Sequence, residues 1–139
     1  MKTFYVASSI SNLKQASDLG TWLVDQGYCW CLGQDWTIGD ESALQADHTL
    51  AGMTAAMDIA AAVGCDLFVL LVVDRTSHGA HAEFGARLAS NREVNVVVQG
   101  APVHIFYYHP LVRLHDTLED FMYFIRFGRP RGRPKRDIT

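Results

Sequence analysis

The sequence is poor in the features that mark specialised classes of protein. Only three of its 139 residues are cysteine (Cys29, Cys31 and Cys65), an odd number set inside apolar segments. That excludes a disulfide scaffold and reads as reduced thiols in a cytoplasmic chain. Charged residues make up 19% and hydrophobic residues 49%, a globular balance that excludes disorder along the whole chain and collagen-like repeats. The longest apolar run, at 67–73, falls far short of the roughly 20 residues that a membrane-spanning helix needs. Met1-Lys2 leads straight into Thr3-Phe4-Tyr5-Val6-Ala7, without the apolar region or cleavage site of a signal peptide. There is no Walker loop and no Gly-x-Gly-x-x-Gly fingerprint. His78 and His81 lack a third and fourth ligand at recognisable spacing, and Cys29-x-Cys31 lacks a partner pair, so no metal and no cofactor is expected.

The length fits one domain, which can bury about two-thirds of the surface of its unfolded form without a staple. The net charge of −3 hides a division. From Arg126 onward there are six basic residues against one acid, Asp137, a balance of +5, while residues 1–125 hold six basic and fourteen acidic residues, a balance of −8. An acidic body with a basic end is a charge block of the kind that forms interaction arms. The division expected is a body at 1–127 and a basic tail at 128–139.

Apolar runs predict strands at 4–7, 28–32, 66–73, 94–98 and 103–108. Leu13, Ala16, Leu19 and Leu23 recur at helical spacing, and further helices are expected at 50–63, 79–89 and 117–127. This alternation implies an α/β fold, a flavodoxin- or Rossmann-like three-layer sandwich around a five-stranded, mostly parallel sheet. Ligands of such sheets bind beyond the carboxyl ends of the strands at the topological switch point. That draws attention to Ser8-Ser9, to 74–83 and to the polar loop after Gly33.

Taken singly, Tyr5, Asp58 and Glu83 have ordinary explanations: a core phenol, a solvated helix acid, and a carboxylate near a helix start. Their order is more informative. Tyr5-Val6-Ala7-Ser8-Ser9 opens the chain, and Asp58 precedes Asp66 by eight residues at the start of the apolar strand. Gly79-Ala80-His81-Ala82-Glu83-Phe84-Gly85-Ala86 follows. This pattern, over about residues 2–89, resembles the nucleoside 2-deoxyribosyltransferase family and its relatives, the nucleoside-monophosphate N-glycosidases. Those proteins share a Gly-x-x-x-Glu-x-Gly-x-Ala helix start, matched here except that Ala86 follows Gly85 directly. The resemblance implies that Glu83 is the nucleophile at the anomeric carbon, giving a glycosyl-enzyme intermediate. Asp58 would protonate or orient the leaving base, and Tyr5 would hydrogen-bond the Glu83 carboxylate. Retaining cleavage through an oxocarbenium-like state needs one ionised carboxylate and one group that keeps its proton. A helix N-terminus and a phenol are expected to keep Glu83 ionised.

Ser8 and Ser9, with Ser11, would border the sugar or its 5′ position, where hydroxyl and backbone donors suit a phosphate. The monophosphate-cleaving relatives carry an arginine in this loop, and this chain has Ser9-Ile10-Ser11-Asn12 instead. Gly79 and His81 would line the site. His81 would touch base or sugar or set the protonation of Glu83, or else stand as a solvent-facing helix-start histidine. Trp36 is the candidate for stacking on a base, and Trp30 reads as core. Relatives complete their sites across subunits, so a homodimer or larger assembly is implied, with the donated residues unassigned.

The tail resembles an AT-hook, with the core Pro130-Arg131-Gly132-Arg133-Pro134. Prolines keep such a segment extended, Gly132 lets the backbone approach the groove floor, and the two arginines suit a narrow A·T minor groove. Arg129, Lys135 and Arg136 would meet phosphates. The alternative is a solvated arm that contacts the acidic body. Three functions follow from these features: N-glycosidic cleavage or transfer on free (deoxy)nucleosides or nucleotides, base removal or exchange in A/T-rich DNA guided by the tail, and a non-catalytic nucleotide-sensing or DNA-binding module.

Overall fold

The computed structural model describes residues 1–31, 48–73, 77–100 and 103–131. Its strands are β1 (Thr3–Ala7), β2 (Cys29–Trp30), β3 (Leu67–Val73), β4 (Val94–Gln99) and β5 (Val112–His115). Its α-helices are α1 (Leu13–Asp25), α2 (His48–Gly64), α3 (His78–Ala89) and α4 (Leu118–Phe127). Two 3-10 turns, Ile10–Asn12 and Ile105–Tyr108, complete the described elements. The strands form one sheet in the order β2-β1-β3-β4-β5, and every pairing is parallel. This is the flavodoxin-like order, with its switch point between β1 and β3.

The three layers follow from which residues each strand turns to each face. Phe4 and Val6 of β1, Val69 and Leu71 of β3, and Val97 of β4 pack with Ala16, Leu19 and Leu23 of α1 and Phe121 of α4. Tyr5, Ala7, Phe68, Leu70, Val72, Val94 and Val96 face the other way, against Ala62 of α2 and Ala80 and Phe84 of α3. Burial on both faces explains why β3 reads as an unbroken apolar run rather than an alternating one. The helices begin and end where local chemistry directs. The Ser77 hydroxyl accepts from Ala80 N at 3.1 Å, Thr117 caps α4 in the same way, and Gly128 closes α4 with φ of 67°. Gly20 lets α1 lie directly on the Trp30 indole, which also packs on Phe4 with ring centroids 4.4 Å apart. Trp30 is therefore part of the core.

One expected strand is displaced. Residues 103–108 do not pair with the sheet: 105–108 form a 3-10 turn in which His104 Nδ1 accepts from Phe106 N. The fifth strand is β5, four residues later, and it pairs with β4 on one side only. Edge position accounts for the mismatch. A strand covered on one side needs less apolar content, and the polar Val112-Arg113-Leu114-His115 qualifies where the more apolar 103–108 turns back. Leu111 N donates to His109 Nδ1 at 3.1 Å and Val112 N to the His109 carbonyl at 2.8 Å, which directs the chain into β5.

Helix α2 is apolar around its circumference, and Leu50, Met53, Met57 and Ile59 remain exposed on it. Among the described residues no helix is long and apolar enough to cross a membrane.

Candidate active site

Tyr5 lies in the middle of β1, 4% exposed, with its ring stacked on Phe68 of β3 at 5.9 Å and 5°. Its hydroxyl reaches out of the sheet toward the layer formed by α2 and α3. There the phenol donates to the Glu83 carboxylate, and the Asp58 carboxylate lies close enough to act on both. Three residues widely separated in the chain thus meet on one face, beside the β1–β3 switch point. The parallel register that pairs Tyr5 with Phe68 sets the first of them. The caps and packing of α3 set the second, since Ala80, Phe84 and Arg87 face the core and turn Glu83 toward α2. Half-buried Asp58 completes the group one helical turn before Ala62, the residue by which α2 is anchored.

The electrostatics of the three groups follow from that enclosure. Burial pushes the Glu83 carboxyl up to about 7, the Tyr5 hydrogen bond opposes this, and the Asp58 charge adds to it. Burial also raises Asp58. The Tyr5 phenol is raised far above its ordinary range by burial first, then by the charges of Glu83 and Asp58, so it remains a donor. Glu83 gets no help from the helix N-terminus that was expected to favour its ionisation. It lies in the second turn of α3, beyond the reach of the helix terminus, and desolvation outweighs the phenol. Two carboxyls with raised affinity for protons, one of them bonded to a phenol, are a pair that can hold and exchange a proton.

The remaining expected site residues divide. Ser8 and Ser9 end β1 on the same side as the switch point; Ser9 is buried, its Oγ 2.7 Å from Ser11 Oγ, and the Ser8 hydroxyl donates to the Ser9 carbonyl at 3.3 Å. Asn12 Nδ2 donates to the Val73 carbonyl at 2.9 Å, which ties this loop to the end of β3. Gly79 sits in the first turn of α3. His81 is not a solvent-facing histidine: its Nε2 lies 3.1 Å from the Tyr107 hydroxyl, its Nδ1 3.4 Å from the Ser77 carbonyl, and its ring packs against Phe84 and His104. Burial lowers its proton affinity. Asp66, the second acid of the pair, works at the opposite end of the sheet, where its Oδ2 accepts from Thr3 N at 2.8 Å. Trp36 lies outside the described residues, as do Gly132, Arg133, Lys135 and Arg136. Arg129 is exposed, and Arg131 lies 3.7 Å from Asp120 of α4.

Two residues escaped the sequence reading. Tyr107 was assigned to a strand, which concealed its bond to His81. Arg87 was passed over although it falls on the buried stripe of α3 with Ala80 and Phe84, a spacing that would have marked it as a cation inside the core. Among the described residues no group of three or more His, Cys, Asp or Glu is placed to hold a metal ion. A cavity of about 540 Å³ lies on the other side of α3, lined by His81, Phe84, Leu88, His104, Phe106 and His109.

No known family's sequence profile matches this chain, and no curated protein matches it. Among solved structures, it is similar to the CMP N-glycosidase BcmB of Clostridium botulinum, with a TM-score of 0.58 and 17% identity, covering 90% of this chain and 99% of that one. The two share a fold over most of this chain, which here is an α/β sandwich around a parallel sheet.

Proposed function

We propose that the chain cleaves or transfers at the N-glycosidic bond of a (deoxy)nucleoside or nucleoside monophosphate. Ionised Glu83 attacks the anomeric carbon as the bond to the base breaks, and protonated Asp58 gives its proton to the departing nitrogen. Water, or an acceptor base, then attacks the glycosyl ester, returns a proton to Asp58 and frees Glu83. Tyr5 holds the Glu83 carboxylate in line. The observation that carries this reading is the convergence of a phenol-bonded carboxyl and a second raised carboxyl beside the switch point. The fold it shares with a protein titled as a CMP N-glycosidase supports it. Ser8, Ser9 and Gly79 would border the sugar and its 5′ group.

Incubation with a panel of nucleosides and their 5′-monophosphates, CMP among them, tests the proposal by mass spectrometry of released base. Base release that disappears in Glu83→Ala is expected. No release from any member of the panel, or undiminished release by Glu83→Ala, rejects it.

In the same reading the chain works as a dimer or larger assembly, for which sedimentation gives the mass, and the basic tail beyond residue 127 is an arm for A/T-rich DNA. Arg131 marks where that arm leaves the body, half exposed against Asp120.

A further inference from the structure

Arg87 is a buried cation that holds two helices together. It is 2% exposed, and the two protons of its Nη1 are shared among three carbonyls: Ala62 at 3.2 Å, Val63 at 3.1 Å and Cys65 at 2.6 Å. Its Nε donates to the Glu93 carbonyl at 3.0 Å. The last carbonyls of an α-helix have no partner within the helix and carry its negative end. Arg87 caps those of α2 from α3, and Arg92 adds a second bond to Val63 O at 2.8 Å. Cys65 Sγ, 3.5 Å from Nη1, is the only other side chain bonded to the guanidinium among the described residues.

The spacing gives this clamp a consequence. Glu83 stands one turn before Arg87 on α3, and Asp58 stands one turn before Ala62 on α2. The clamp therefore joins the two helices one turn below the two carboxyls. We propose that Arg87 is a positioning residue that sets the separation of Glu83 and Asp58 and keeps water from between α2 and α3. This rests on the glycosidase reading for its effect on turnover, but the geometric claim stands apart from it. A lysine has a compact charge and no fixed fork, so it cannot span three carbonyls and the Glu93 carbonyl at once.

The test reads the Glu83 carboxyl itself, by carbon NMR titration of the full chain. The groups that face it are Tyr5 from β1 and Asp58 from α2. In Arg87→Lys, and in the volume-conserving Arg87→Met, the midpoint is expected to fall from about 7 toward the ordinary carboxylate range as water enters and Asp58 recedes. Gly20→Ala, which disturbs the opposite layer, is expected to leave the midpoint in place. With an active enzyme, kcat should fall about tenfold or more in Arg87→Lys with KM little changed, as misplacement of a reacting group dictates. An unmoved Glu83 midpoint in a cooperatively folded Arg87 variant overturns the proposal, as does an equal shift in Gly20→Ala. If the wild type releases no base yet the midpoint moves in Arg87→Lys, the clamp stands and the glycosidase reading falls.

Discussion

Glu83 is held where its charge is opposed, and the opposition depends on pH. Below about 4.5 the carboxyl is protonated in both the folded and unfolded chain, and between there and about 7 only the folded chain keeps the proton. A carboxyl raised on folding therefore contributes its stability at low pH and loses it as pH climbs through about 7. Glu83→Gln is neutral throughout. Its melting temperature should match the wild type near pH 4.5 and exceed it at pH 8, by several degrees if the relief is on the order of 1–2 kcal/mol. The same substitution should lower base release by about a thousandfold or more, since an amide is no nucleophile. Turnover needs Glu83 ionised and Asp58 protonated at once, so wild-type activity should be bell-shaped in pH, and a rate that changes in one direction only from about pH 4 to about pH 9 would contradict the paired roles. The place of Glu83 could be read from Gly79-Ala80-His81-Ala82-Glu83. Its proton affinity could not, because desolvation is summed over Tyr5 and α2, which periodicity along α3 does not reveal.

Two elements carry strong local constraints. His115 ends β5, and its Nε2 lies 3.0 Å from Asn95 Oδ1, while Asn95 Nδ2 donates to the Phe68 carbonyl at 3.4 Å across β3. This polar ladder joins three strands inside the sheet. Burial, with Arg113 nearby, pushes the imidazole down to about 4. The unfolded chain takes up a proton near 6.5 that the folded chain refuses, so stability is complete above 6.5 and is lost as pH falls toward about 4. His115→Gln keeps a hydrogen-bonding amide and should flatten this acid limb in urea titrations at pH 4.5 and 7, at a cost of about 1–2 kcal/mol at pH 7. At Gly20 a methyl group would overlap Trp30 Cζ2 and Cη2, inside the indole. Alanine gains about 1 kcal/mol in helix propensity, but overpacking costs about 1–3 kcal/mol and the ring has the core behind it. Gly20→Ala should be net destabilised, and its tryptophan emission should shift. The helices could be read because their apolar spacing and caps are local. The identity of the fifth strand could not, because β5 is chosen by what β4 offers, while the more apolar run at 103–108 gives the stronger strand signal in the sequence.

At the scale of the whole molecule the charge division decides what the tail does. An acidic body repels DNA and a basic end attracts it, so any binding must come through a few cationic side chains. One of them is already engaged: Arg131 Nη1 lies 3.7 Å from Asp120 Oδ1. The arginine is half exposed, and such pairs contribute about 0.2–1 kcal/mol, little enough for a phosphate or an A·T minor groove to displace it. Two consequences separate an arm that binds DNA from one that only rests on the body. Asp120→Asn, which weakens the resting contact, should tighten binding to an A/T-rich duplex by up to about fivefold in fluorescence anisotropy. Arg131→Ala with Arg133→Ala should weaken it and lower the slope of log affinity against log salt by about 2, one unit for each lost cation. An arm serving only the body gives the opposite pattern. Asp120→Asn would then lower the melting temperature without creating DNA affinity, and the double alanine variant would bind duplex no differently from the wild type.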